Sequence, residues 1–444
     1  MRKTGKMFFF EKKNQKTFNR LTPLSCKGRI KKSGSFFASF FTKKEVLASL
    51  LCVATCTQAV AASTSWDVIE RGRLLATAGD CIACHTAPGG QPFAGGRAIE
   101  TPFGSVVTPN LTPDVATGLG AWSDETFLRA LQTGIGRDGE HLYPAFPYPY
   151  YARVSREDLL SIRAFLATLQ PVANAVERNR LDFPFDIRLT MAAWNSLYFE
   201  GGPFRPTQGK SAEWNRGAYL AEGLGHCGAC HTAKTMLGGD KTSEALRGGV
   251  IQDWFAPALS GDLRTGLGAW SVEEVVEYLQ TGRNARSAAS GPMGEVIAYS
   301  TSKLPEADLR AMAVYLKDQP AGAAPPAALA ADDARMQAGR AIYEDNCAAC
   351  HTNSGRGVAR LFPALAGSAV VQSNEPTTLA RVVLIGTQAV ATDAAPTGPA
   401  MPAFGWKLSN DQIASVLSYI RNAWGNAAAP VAADDVGRLR RRLQ

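Results

Sequence analysis

Long apolar runs are scarce in this chain. No stretch inside residues 64–430 reaches the ~20 uninterrupted apolar residues of a spanning helix, which excludes a bundle of membrane helices there. Cysteine is scarce too. Of nine in 444 residues, Cys26, Cys52 and Cys56 fall near the N-terminus and the other six form C-x-x-C pairs, so none remains for a disulfide framework. Neither a Rossmann fingerprint nor a phosphate loop occurs, which leaves no obvious nucleotide site. The five histidines supply no evident nucleophile system and no second metal cluster. Methionine is absent between His85 and Met191.

What is present begins with charge. Residues 1–45 hold thirteen Lys or Arg against two acids, a local +11. An apolar run, VLASLLCVATCTQAVAA (Val46–Ala62), follows and ends in small residues. A basic leader, a short greasy core and an Ala-rich end predict a secretory signal over residues 1–62, with an uncleaved membrane anchor as the competing reading. Subtracting the leader's +11 from the whole chain's +8 leaves −3, so the basic pI belongs to the leader and predicts no nucleic-acid partner.

The three remaining pairs read CIACH (Cys81–His85), CGACH (Cys227–His231) and CAACH (Cys347–His351). C-x-x-C-H is the attachment signature of c-type haem. Two thiols add across the vinyl groups, and the adjacent histidine gives iron its proximal nitrogen. Zinc would need about four ligands gathered together, yet each pair stands more than a hundred residues from the next. A redox C-x-x-C needs no histidine after it. The expectation is three covalent haems c on Cys81, Cys84, Cys227, Cys230, Cys347 and Cys350, with His85, His231 and His351 proximal to iron.

Each motif ends a similar lead-in: RGRLLATAGDCIACH from Arg71, RGAYLAEGLGHCGACH from Arg216, AGRAIYEDNCAACH from Ala338. Apolar residues three and four apart predict a short helix before each haem. Each unit also closes with an amphipathic helix, after Ser155, after Leu304 and after Leu408. Leu111–Gly134 recurs as Leu259–Gly282 at an offset of 148 residues, so the first two units are close relatives. In the second copy Ser271 and Glu274 predict a capping box, as do Ser409 and Gln412 before the last helix. The expected fold class is all-α, with three tandem cytochrome c-like domains after the signal segment. They cover 66–170, 206–319 and 334–425, joined by an aromatic-rich connector (171–205) and a Pro/Ala linker (320–333). Residues 426–444 are expected to form a flexible tail with a basic tip that is solvated or touches acidic lipid or a partner.

The sixth ligand decides what a haem does, since a thioether raises the potential and suits electron carriage. Met293 lies 62 residues after His231 and Met401 lies 50 after His351, both among Gly and Pro, and both are expected distal ligands from loops. In the first unit the matching stretch, HLYPAFPYPY (141–150), has Phe146 in that place. Met191 folding back, His141 in a bis-histidine site, and a five-coordinate or water-bound iron all remain open.

Three C-x-x-C-H units, the TGLGAWS repeats, LYPAFPY and WNRGAYLAEGLGHCGACH together resemble the tri-haem cytochrome c subunit of membrane-associated bacterial dehydrogenases, over roughly residues 66–425. The resemblance implies an electron-relay subunit rather than an enzyme in its own right. Its catalytic partner would be a quinoprotein, a flavoprotein or a molybdenum hydroxylase. Its acceptor would be ubiquinone or a terminal oxidase or cytochrome, at the periplasmic face of the inner membrane and against its surface. His85, His231, His351, Met293 and Met401 match that family's axial ligands. Phe146 departs from the methionine of alcohol-dehydrogenase-type members and tilts the reading towards the branch that accompanies molybdenum hydroxylases. A haem peroxidase using an open first iron, or a standalone soluble shuttle, are the competing functions.

Overall fold

Ser65 precedes the first helix of the computed structural model, which describes residues 65–322 and 326–444. The leader, the apolar run and the first three cysteines lie outside the described residues. Helix α1 (Trp66–Ala78) leads into the first C-x-x-C-H turn. A hairpin of β1 (Ala98–Thr101) and β2 (Gly104–Val107) follows, then α2 (Asp124–Thr133) and α3 (Arg156–Leu166). Ser123 and Ser155 cap these two helices by accepting from the N–H three residues on, and left-handed Gly134 ends α2. The connector adds β3 (Arg180–Leu181) to the edge of β2 and then forms α4 (Thr190–Tyr198).

The second unit repeats the plan: α5 (Ala212–Glu222), β4 (Gly249–Ile251), β5 (Trp254–Ala256), α6 (Val272–Thr281), α7 (Gly291–Tyr299) and α8 (Glu306–Lys317). The Ser271/Glu274 capping box forms, and Val275, Val276 and Leu279 are buried. The third comprises α9 (Ala334–Asn346), α10 (Thr377–Ile385), the pair β6 (Thr387–Gln388) and β7 (Ala400–Met401), α11 (Asn410–Ile420) and α12 (Ala433–Leu443). The Ser409/Gln412 box is present as well. The fold is mostly helical. That agrees with the all-α expectation, to which the described residues add three small antiparallel sheets.

One contact recurs in all three units. The lead-in helix crosses the closing helix at a glycine: Gly72 on α3, Gly217 on α8, Gly339 on α11. A Cβ on them would lie 1.8, 1.9 and 2.2 Å from the carbonyl oxygens of Ser161, Ala311 and Ser415. Only glycine lets the backbones approach so closely. In the first two units the preceding arginine pairs with an aspartate of the closing helix, Arg71 with Asp158 and Arg216 with Asp308. Asp158 also accepts from Tyr219 Oη of the second unit at 2.6 Å.

The first two units share one continuous core, in which Leu75, Phe127, Leu159 and Ile162 join Leu224, Val275, Leu279 and Leu309. The third has its own, around Ile413, Leu417 and Leu384, and α12 belongs to it. The expectation of a flexible, solvated tail is therefore corrected. Val436 and Leu439 are buried, and Arg440 donates to Leu408 O and Asn410 Oδ1 at 2.9 Å. Burying two such side chains is worth about 3 kcal/mol or more, enough to hold a short helix in place. Among the described residues, no helix is long and apolar enough to cross a membrane.

Candidate haem-attachment sites

Each lead-in helix ends in a tight turn that carries the cysteine pair. At the first, Asp80 takes a left-handed conformation (φ 50°); at the second, His226 does so (φ 33°). In all three turns the histidine N–H donates to the carbonyl of the first cysteine at 3.0 Å. The histidine carbonyl accepts from a glycine N–H downstream, that of Gly95, Gly248 or Gly357.

The ring geometry repeats more tellingly. His85 Nδ1 lies 2.8 Å from Pro109 O, His231 Nδ1 2.6 Å from Pro257 O, and His351 Nδ1 3.0 Å from Pro363 O. A carbonyl only accepts, so Nδ1 carries the proton and Nε2 presents its lone pair. Burial holds the rings neutral: the His85 imidazolium is pushed down to about 4, and those of His231 and His351 are lowered as well. This is the ligand and outer-partner pattern a metal-binding imidazole requires. In the first two units the β hairpin carries the proline to the ring. β2 runs into Pro109, and β5, which turns at Gln252–Asp253 with positive φ, runs into Pro257. In the third the isolated Val358–Phe362 bridge does this over a shorter loop. Sequence reasoning missed these prolines, although a P-x-L triplet follows each motif: Pro109-Asn110-Leu111, Pro257-Ala258-Leu259 and Pro363-Ala364-Leu365.

The thiols are equally suggestive. Burial pushes Cys81 and Cys227 up to about 12 and Cys84 and Cys347 up to about 11, and raises Cys230. Redox C-x-x-C pairs work with a depressed thiol, the opposite shift. All six cysteines are unpaired with one another. Among the described residues, no three His, Cys, Asp or Glu side chains gather into a metal-binding group. The donor set at each turn, two unpaired cysteines beside one imidazole with Nε2 available, fits a covalently attached haem.

The expected distal residues fall as follows. Met293 sits in the first turn of α7, not in a loop, because Gly291 and Pro292 start a helix there; it packs against the shared core. Met401 lies in β7 opposite Thr387 and packs against the third core. Met191 is buried on α4 with Tyr143, Tyr148 and Trp194. His141 forms an isolated bridge with Ile135, and its Nδ1 is buried without a partner. Of the other methionines, Met236 is 95% exposed and Met312 lies in the core of α8. His226 stands beside Tyr150 and Tyr151, ring centroids 6.4 and 5.9 Å away.

The sites adjoin. A Cβ on Gly228, inside CGACH, would lie 2.8 Å from Tyr150 Oη. Arg97 donates to Ala83 O, inside CIACH, at 2.8 Å and to Glu295 of α7 at 2.9 Å, tying the first turn to the helix that bears Met293. On its other side the second unit meets the third. Val390 N donates to Ala289 O at 2.9 Å, and its side chain contacts the positions of Gly282 and Gly294. Phe255 and Thr378 exchange bonds of 2.7 and 3.1 Å. The middle unit thus touches the first through both its attachment turn and α7, and touches the third through the segment that runs into α7.

A glycine-crossed helix pair that presents C-x-x-C and a proline-held histidine defines a c-type cytochrome. The cytochrome c family matches residues 69–170 and 336–424. The gluconate 2-dehydrogenase cytochrome c subunit of Pantoea cypripedii is 40% identical over 84% of this chain and 90% of its own length. The alcohol dehydrogenase (quinone) cytochrome c subunit of Gluconobacter oxydans (strain 621H) is 40% identical over 84% and 82%. A nicotinate dehydrogenase subunit of Pseudomonas putida is 39% identical over 83% of this chain but 32% of that longer protein. The chain belongs to the family of dehydrogenase cytochrome c subunits and carries covalently bound haem c.

Proposed function

We propose that this chain is a three-haem electron relay at the periplasmic face of the bacterial inner membrane. It takes electrons from a dehydrogenase catalytic subunit and delivers them to ubiquinone or a terminal acceptor. Cys81 and Cys84, Cys227 and Cys230, and Cys347 and Cys350 form the thioethers. His85, His231 and His351 bind iron through Nε2, and Met293 and Met401 are the distal ligands of the second and third sites. Haem c supplies one-electron exchange at iron in a site of low polarity.

The protein's own residues do the rest. The proline carbonyls fix each imidazole's tautomer and orientation and strengthen it as a donor. The glycine crossings hold each attachment turn against its closing helix. Arg97 and the Val390 contact keep neighbouring sites in fixed register. The observation that carries the reading is the middle unit's position between the other two, with residues of its site in contact with both, which suits a chain of single-electron steps. Substrate oxidation releases electrons in pairs, and adjoining one-electron sites can accept and forward them singly.

For the catalytic partner, similarity alone does not choose, because the gluconate, alcohol and nicotinate relatives are nearly equally identical. Phe146 favours the branch that accompanies molybdenum hydroxylases of aldehydes or N-heteroaromatic compounds, and nicotinate is such a compound. The test is purification of the native complex from membranes, identification of the catalytic subunit by mass spectrometry, and addition of that enzyme's substrate. Substrate-dependent reduction of the haems, reversed by a ubiquinone analogue, is the expected result. A free monomer that turns over peroxide with a reduced donor would defeat the relay.

A further inference from the structure

The first site lacks the methionine of the second, while the backbone approaches that place in a similar way. A left-handed glycine ends the preceding helix in each, Gly134 (φ 67°) and Gly282 (φ 79°). Its carbonyl then accepts from Leu142 N at 2.8 Å or from Ala289 N at 2.7 Å. An isolated bridge follows, Ile135 with His141 or Arg283 with Ala288. Five residues after His141 stands Phe146, and five after Ala288 stands Met293. Phe146 therefore occupies the place of a thioether ligand, and a phenyl ring has no lone pair to give to iron.

We propose that Met191, on α4 of the connector, supplies the sixth ligand of the first iron. The inference rests on the reading that Cys81, Cys84 and His85 hold a haem. Met191 is 7% exposed and shares its cluster with Tyr143 and Tyr148, from the stretch that carries Phe146, and with Val106 of β2. Val106 lies three residues before Pro109, whose carbonyl holds His85. Phe146 bridges this cluster to the core against which Cys81 packs. Met191 is thus buried among the two chain segments that frame the first site, and it reaches them from outside the unit.

Its helix is held there by several contacts. β3 pairs with β2. Tyr148 Oη donates to Asn195 Oδ1, Tyr143 Oη to Asp186 O at 3.2 Å, and Trp194 Nε1 to Leu237 O at 2.9 Å. His141 is the rival, since its Nδ1 is buried and unpartnered. Its backbone, however, is fixed by the Ile135 bridge and by Arg188, which donates to its carbonyl at 2.7 Å. Its counterpart, Ala288, stands five residues short of Met293 in the second unit.

The experiment uses the full exported chain in its ferric state and reads spin state and ligand, not turnover. Haem content is measured in parallel. Met191→Leu keeps the volume and removes the donor. It should abolish about a third of the far-red thioether-to-iron(III) charge-transfer absorbance and create one axial high-spin EPR signal, with haem content unchanged. Adding Phe146→Met to that variant should restore the band and remove the high-spin signal. If Met191→Leu leaves the charge-transfer band whole, or if His141→Ala alone produces the high-spin signal, the assignment is overturned. Should both variants fold poorly, the wild-type protein still decides: three thioether-ligated irons by near-infrared magnetic circular dichroism support the proposal, and two refute it. A first motif without haem would instead overturn the site reading beneath it, which separates the two failures.

Discussion

Replacing Gly217 by alanine probes the contact that all three units share. The new Cβ would lie 1.9 Å from the Ala311 carbonyl oxygen and 2.4 Å from its carbon. An ordinary carbon–oxygen contact is about 3.3 Å, so α5 and α8 must separate by roughly 1.4 Å. The separation loosens Ala218, Leu220, Ala221 and Leu316, all buried between or beside them. Overpacking of this kind costs roughly 3 kcal/mol or more, offset by about 1 kcal/mol of better helix propensity, for a net loss of at least about 2 kcal/mol. The second unit shares its core with the first, so the cooperative block is large, and the melting temperature should fall by about 4–8 °C. Differential scanning calorimetry of the holoprotein reads this directly. Gly322→Ala is the control, because a Cβ there meets nothing closer than 3.8 Å. If Gly217→Ala melts within about 1 °C of the wild type with full haem content, the crossing does not carry the stability assigned to it.

Three further outcomes are expected. Arg421 is 1% exposed and donates to the carbonyls of Val371, Ser373 and Ala429, while burial lowers its pKa to about 10; Arg421→Met should cost about 3 kcal/mol in urea unfolding, and a neutral result would show the carbonyls finding water instead. Asp80 is raised from 3.8 to about 8 by burial and then by Glu295, so the folded state binds more protons than the unfolded state between those values and stability falls as pH rises from about 4 to 8. Asp80→Asn should flatten that slope, gaining up to about 4 kcal/mol at pH 8 relative to pH 5; an unchanged pH profile would contradict the assignment. Deleting residues 433–444 should destabilise the third unit by about 3 kcal/mol, because Val436 and Leu439 belong to its core; a tail that merely floats would leave its melting unchanged.

The attachment turns, the capping boxes and the closing helices were legible because each rests on local chemistry: fixed spacing, a serine three residues before an acid or amide, a stripe of period 3.6. The crossing glycines were visible too, at Gly72, Gly217 and Gly339, eight to ten residues before each first cysteine. Their meaning was not, since it depends on a carbonyl some ninety residues away, or seventy-six in the third unit. The proline carbonyls escaped for the same reason, as P-x-L says nothing until a histidine is folded against it. The short β ladders were overlooked because two to four residues carry too little periodicity to register. The C-terminal helix was misread because its four arginines outweigh the Val436–Leu439 spacing in any count of polarity. Met191 was legible only as one of several possibilities, because its burial beside Tyr148 and Trp194 depends on how the connector folds back.

The central claim is that three haems are fixed to this chain by six thioethers. Proteolytic mapping of the exported protein by mass spectrometry tests it most directly. The account predicts one covalently bound haem on each of the peptides containing CIACH, CGACH and CAACH, and loss of only the third in Cys347→Ser/Cys350→Ser. Any of the three peptides recovered at its bare polypeptide mass from the mature wild-type protein would contradict it.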